Sequence, residues 1–216
     1  MSPIELTLRK KALNEEVDYL FLSSALKDYA YPRTKITALL KKQVLIRVKK
    51  GLYVFGPLYA NKPYVKETLA NLIYGPSYIS LDYALAFYGL IPERVEVLTS
   101  VTSKRDKLFN TPVGTFMYRY LHPQKYSIGI TQVLLNETHP ILIATAEKAL
   151  ADKIVLSSSK VDLQNTPQAR AFLFDDLRLD EMGILALDHD HLAQIVTRYQ
   201  NINLQWVQTA IQEMKH

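Results

Sequence analysis

The sequence predicts an α+β protein in two parts. Residues 1–57 read as a winged helix-turn-helix, 58–63 as a linker, and 64–216 as an α+β domain with a small sheet and C-terminal helices. Three observations carry this. The first sixty residues hold helical segments followed at once by a basic hairpin, the layout of a winged helix. Between Val95 and Ala144 the apolar residues change from helical period to alternation, and helices bracket that stretch. Charge is uneven: residues 1–62 hold 12 basic and 5 acidic residues, the remainder 14 and 16. That asymmetry points to nucleic acid as a partner of the N-terminal part, although a solvated lysine-rich face gives the same numbers.

Composition excludes several classes. With 48% hydrophobic and 22% charged residues, the chain of 216 is that of an ordinary globular protein, not a disordered one. No run approaches the ~18 apolar residues that a membrane span needs. Ser2-Pro3-Ile4-Glu5 begins no signal-peptide pattern. Cysteine is absent, so there is no disulfide frame, thiolate metal site or cysteine nucleophile. A cytoplasmic protein without membrane contact fits these features.

Ser2-Pro3-Ile4-Glu5 reads as a helix start, with Ser2 as cap, Pro3 at the first helical position and Glu5 closing a capping box. Leu6, Leu13, Val17 and Leu20 recur at helical spacing, while Tyr19–Leu22 suits a short strand equally well. Ser23 or Ser24 can cap a second short helix through Ala25, Leu26 and Tyr29. Tyr31-Pro32 makes the turn, because the residue before proline avoids the helical region.

Pro32 opens the third helix, Arg33–Lys42. At ~100° per residue, Ile36, Leu39 and Leu40 form its apolar stripe. Thr34, Thr37, Ala38 and Lys41 lie opposite, flanked by Arg33 and Lys35. A small polar centre edged with cations suits a major groove, where Thr34, Thr37 and Ala38 would meet base edges and Arg33, Lys35 and Lys41 phosphates. It also suits an ordinary solvated amphipathic helix. The hairpin Leu45–Phe55 turns at Lys50-Gly51 and clusters Arg47, Lys49 and Lys50 at its tip as phosphate contacts. From Tyr29 to Lys66 there are nine Lys or Arg and no acidic residue.

Two prolines in Gly56–Pro63 break the pattern. A helix follows from Val65, with Leu69, Leu72 and Ile73 on one face, ending at Gly75-Pro76. Ser80 reads as the cap of a helix that closes at Gly89. Strands are expected at Val95–Thr102, Val113–Leu121, Gly129–Leu135 and Pro140–Ala144. Thr145 caps a helix over Ala146–Val155, and three more helices follow at Gln168–Phe174, His189–Tyr199 and Leu204–Met214.

Two phrases, Tyr78–Glu93 (YISLDYALAFYGLIPE) and Ile143–Lys153 (IATAEKALADK), resemble the AbiEi family of antitoxin-like transcriptional regulators. The second is similar to that family's A-x-x-E-K-A-L-x-D helix. Gly51-Leu52-Tyr53 is similar to the end of its R-G-x-Y wing, with Lys50 in place of arginine. The resemblance covers residues 17–156. It implies an N-terminal winged helix that binds double-stranded operator DNA in the protein's own promoter, and a C-terminal domain that carries antitoxin activity. The implied toxin is nucleotidyltransferase-like and opposed without a stable complex, as in type IV systems. The helix before residue 17 departs from the family pattern.

Little else suggests chemistry. Lys148 and Asp152 can pair along their helix, and Glu147, Lys148 and Asp152 read best as part of a capped, charge-dressed helix; Lys104, Arg105 and Lys148 are the candidate surface cations of the second part. Thr102-Ser103-Lys104-Arg105 follows a strand without a glycine-rich phosphate loop. Asp188–His191 carries two His and two Asp, but neighbours in such a run rarely converge on one metal, and Asp190 makes a good helix cap. His122 and His139 have no nearby partners in sequence. Neither a catalytic set, nor a metal site, nor a cofactor is expected. The competing readings are a winged-helix regulator without a toxin partner, and a nucleotide-handling enzyme using Lys104, Arg105 and the Glu147 helix.

Overall fold

The computed structural model describes residues 2–136, 138–157 and 161–215. Helix α1 spans Pro3–Lys11 and opens on the expected capping box: Glu5 N–H donates to the Ser2 hydroxyl at 3.4 Å, and Ser2 N–H donates to the Glu5 carboxylate at 2.6 Å. The chain then departs from expectation. Leu13 is 93% exposed rather than on a buried stripe, and Val17 lies in a three-residue strand, β1 (Glu16–Asp18). Helix α2 runs Tyr19–Ala25, so the segment open to either reading is helical. Its cap is Asp18, which accepts from Phe21 N–H at 2.7 Å; Ser23 and Ser24 lie inside the helix. A strand of three residues is too short to show alternation, and Asp18 outcompetes serines that fall one turn late.

Helix α3 (Pro32–Lys41) and strands β2 (Leu45–Lys49) and β3 (Leu52–Phe55) agree closely with the sequence. Pro32 sits in the first turn of α3, where a missing N–H costs nothing. Gly51 takes φ +88° at the hairpin turn. Gly56 leaves the hairpin so close to Gln43 that a β-carbon would stand 2.0 Å from its carbonyl oxygen. The three strands form an antiparallel sheet in the order β1-β3-β2.

Strand β3 is buried on both faces, which a free-standing wing would not be. Tyr53 and Phe55 join Leu8, Leu22, Leu26, Ile36, Leu39 and Leu45 in an N-terminal core. Leu52 and Val54, with Val48 of β2, belong to the core of the rest of the chain. The period-two geometry of a strand divides these residues between the two cores.

The second sheet has six strands in the order β6-β7-β5-β4-β9-β8. Its members are β4 (Ser77–Ile79), β5 (Leu98–Thr102), β6 (Lys107–Thr111), β7 (Gly114–Tyr120), β8 (Ile130–Leu135) and β9 (His139–Ala144). Pairs β4–β9 and β5–β7 are parallel, and the others antiparallel. Strands β4 and β6 were not expected. Strand β4 is three residues between Gly75-Pro76 and Ser80, yet it occupies a central position, buried throughout.

Helix α4 (Lys66–Ile73) covers one face, where the Tyr118 hydroxyl donates to Ala70 O at 2.7 Å. Helices α5 (Leu81–Phe87) and α7 (Ala146–Ser157) pack on the other. Helix α5 ends as expected with Gly89 at φ +71°. Among the described residues there follow a short α6 (Pro123–Tyr126), α8 (Thr166–Ala171) with a π-helical turn over Phe172–Asp176, α9 (Glu181–Leu185), α10 (His189–Tyr199) and α11 (Ile202–Glu213). The α+β class is as expected. No helix among the described residues is long and apolar enough to cross a membrane.

Candidate nucleic-acid interface

The outer face of α3 is open. Arg33, Thr34, Thr37, Ala38 and Lys41 are exposed and Lys35 half-buried, while Ile36 and Leu39 face the N-terminal core. Two of these side chains are held in place. Arg33 Nε donates to the Tyr19 hydroxyl at 3.1 Å, and the Thr37 hydroxyl donates to Arg33 O at 3.1 Å. Lys35 lies over the Tyr29 ring at 5.7 Å. The Thr37 hydroxyl proton is thereby engaged within the helix, which leaves its oxygen as an acceptor and its methyl group for apolar contact.

The hairpin tip divides the three cations assigned to it. Arg47 and Lys50 are exposed, with Arg47 6.0 Å from the Tyr53 ring centre. Lys49 turns inward. Its ammonium donates to Leu72 O at 3.0 Å and to Ile73 O, at the C-terminal end of α4. Carbonyls there lack intrahelical partners and carry the negative end of the helix dipole, so a cation is favoured. Burial pulls the Lys49 pKa down, and nearby Lys104 adds to that. Lys49 is thus engaged as a clip between the hairpin and α4, where the sequence placed a free phosphate contact.

Lys104 reaches the same helix end. Its ammonium donates to Gly75 O and lies 5.5 Å from the Tyr74 ring centre. The Lys49 and Lys104 head groups are close enough to repel, so the hairpin tip and the turn after β5 are neighbours. Lys50, Lys104, Arg105 and Lys107 are exposed, and Lys104 lies beside the inward-turned Lys49 of the hairpin. From the sequence they were two separate patches more than fifty positions apart.

Lys148, expected on the surface, is wholly buried, as is Asp152. Lys148 Nζ donates to Lys125 O at 3.0 Å and the Tyr199 hydroxyl at 2.6 Å, and it stands 3.4 Å from Asp152 Oδ1. Asp152 also accepts from the hydroxyls of Tyr78 at 2.9 Å, Ser80 at 2.7 Å and Tyr199. The rings of Tyr78 and Tyr199 each lie 5.0 Å from the ammonium. Burial raises both phenol pKa values and lowers that of Lys148, with Asp152 opposing the shift on the lysine. The i,i+4 pair foreseen along α7 exists, but as the centre of a satisfied network joining β4, α5, α6, α7 and α10. Ser80 stands at the N-cap of α5 as expected, but its hydroxyl donates to Asp152 and makes no cap bond to the helix backbone. Glu147 is also buried and accepts from Asp188 N–H at 3.0 Å. Lys148 and Asp152 are thus enclosed, with their polar partners around them.

Asp188, not Asp190, caps α10 by accepting from His191 N–H at 2.9 Å. No three His, Cys, Asp or Glu side chains converge as a metal set among the described residues. His139 does have a partner, 123 positions away: its Nε2 stands 3.3 Å from Glu16 Oε2, both side chains being buried. Glu16 also accepts from Val65 N–H. Glu15 accepts from Asn61 N–H at 3.1 Å and pairs with Arg9 at 2.9 Å. The expected linker is thus tied back to Glu15, just before β1, and the residue that leads into α4 to Glu16 of β1. The one sequence signal for this was Glu15-Glu16, the only adjacent acids in the basic first sixty residues. Nothing in the sequence marked Tyr19.

No family model matches the chain, and no curated protein matches it significantly.

Proposed function

We propose that this protein is a DNA-binding transcriptional regulator, with α2, α3 and the β2–β3 hairpin acting as a winged helix-turn-helix on double-stranded operator DNA. The observation that carries the reading is the outer face of α3: small and polar at its centre, cationic at its edges, and exposed in a stretch without acidic residues. Arg33, Lys41, Arg47 and Lys50 supply phosphate or base contacts, and Thr34, Thr37 and Ala38 the reading surface. The adjoining Lys104, Arg105 and Lys107 would continue the positive surface.

The resemblance of Tyr78–Glu93 and Ile143–Lys153 to AbiEi regulators extends the proposal. In that reading the protein represses its own promoter and acts as the antitoxin of a type IV system, opposing a nucleotidyltransferase-like toxin without a stable complex. The buried surroundings of Lys148 and Asp152 favour a non-enzymatic role for the second sheet and its helices.

The test is binding of the full chain to the duplex upstream of its own gene against random duplex, measured across salt. The proposal expects selective binding with a steep salt dependence. Equal and weak binding to both duplexes would overturn it. For the antitoxin part, co-expression with a neighbouring nucleotidyltransferase-like protein should restore growth, and unrelieved growth arrest would refute it.

A further inference from the structure

Resting on the DNA-binding reading above, we infer that Arg33 reads a guanine base edge and that Tyr19 is the positioning residue which aims it. Arg33 stands at the second position of α3, in the first turn. In helix-turn-helix proteins the N-terminal residues of the second helix are those that meet base edges. Among the described residues no carboxylate pairs with Arg33; its Nε donates to the Tyr19 hydroxyl at 3.1 Å.

The choice of partner matters. A guanidinium has five N–H donors in a rigid plane. A carboxylate opposite Arg33 would occupy two donors and neutralise the charge. A phenol hydroxyl accepts one bond at Nε and leaves the charge intact. The edge formed by the two terminal nitrogens is then unspent by that contact, in the forked arrangement that matches guanine O6 and N7. The guanidinium also favours the ionised phenol, so the Tyr19 pKa is lowered and that of Arg33 raised.

Tyr19 is itself fixed from behind. It is the first residue of α2, directly after Asp18, whose carboxylate caps that helix, and its backbone N–H donates to Gly51 O at 2.9 Å. The hairpin turn, the start of α2 and the first turn of α3 thereby meet at one residue, Tyr19, through its backbone N–H and its hydroxyl. Among the described residues Lys41, at the far end of the same face, has no such support, and it suits a phosphate contact.

The experiment uses the full chain. Selection from randomised duplex defines the preferred sequence, and each base pair of it is then varied singly. Tyr19→Phe keeps the ring and removes the acceptor. It is expected to reduce discrimination at one or two G·C pairs by about tenfold, with the salt slope and the urea midpoint unchanged. Arg33→Lys should lose the same discrimination, and the double variant should lose no more than Arg33→Lys alone. A Tyr19→Phe protein that keeps full discrimination, or weakens on all duplexes alike, overturns this assignment while leaving DNA binding intact. A wild-type chain without sequence preference overturns both.

Discussion

Removing the Asp152 carboxylate tests whether the α7 network is architectural. Asp152→Ala strands four donors at once: the Tyr78, Ser80 and Tyr199 hydroxyls and the Lys148 ammonium. Breaking a buried ion pair from one side costs roughly 3–5 kcal/mol, because a buried charge is left without its partner. Each stranded hydroxyl adds about 1 kcal/mol where it finds no new acceptor. Since a domain of this size is stable by roughly 5–15 kcal/mol, the variant should sit at the margin of folding. Lys148→Met also leaves one buried charge unpaired, but strands no hydroxyl donor of Asp152, so it should cost less than Asp152→Ala, near the low end of that ~3–5 kcal/mol range. Its flexible side chain fills the space, and Asp152 keeps three hydroxyl donors. Urea unfolding of both variants gives the answer through the midpoint, with an unchanged slope showing that two-state behaviour persists. A loss under ~1 kcal/mol for Asp152→Ala, or a larger loss for Lys148→Met, would refute the reasoning and reopen an active role for this cluster.

Lys49 and Lys50 should separate cleanly. Lys49→Ala should lower stability by about 1 kcal/mol with little change in the salt slope of DNA binding, whereas Lys50→Ala should reduce that slope by about one unit and leave the urea midpoint alone; the reverse assignment of effects would show that the clip to α4 does not hold in solution. Alkaline stability follows from the phenols. Burial raises the pKa of Tyr78, Tyr118 and Tyr199, and pushes that of Tyr126 up to about 12. A phenol whose folded pKa exceeds its unfolded value stabilises fully below pH ~10 and loses that contribution as pH rises through the folded value. Lys49 and Lys148, lowered by burial, act in the opposite sense just below their unfolded pKa, but they are fewer. Stability should therefore fall above pH ~10, with the buried phenols ionising on unfolding and Tyr19, its pKa lowered by the Arg33 hydrogen bond, ionising before them. Spectrophotometric titration checks this: simultaneous ionisation of all 14 tyrosines with the fold intact would refute it.

Much of the fold was legible where structure is local. The capping box at Ser2 and Glu5, Pro32 opening α3, Gly51 at the hairpin turn and Gly89 closing α5 each depend on residues within one turn of each other. The short strands β1 and β4 were not legible, because three residues carry no period and their strand geometry comes from pairing with distant partners. The candidate site was legible in part. The α3 face follows from helical spacing, but the fate of each cation at the hairpin does not.

By itself the sequence determined the α+β class, the helix α3 with its polar outer face, the basic hairpin after it and the charge asymmetry of the two parts. Periodicity, caps and charge counts are properties of neighbouring residues. Only the tertiary structure decided which charges are free to act. Lys49 is held by the end of α4, Lys148 is sealed beside Asp152, Glu16 is matched to His139, and Arg33 is bonded to the Tyr19 hydroxyl. A buried charge persists only beside a compensating partner, and for Lys49 and Glu16 the fold brings that partner from a distant stretch of chain.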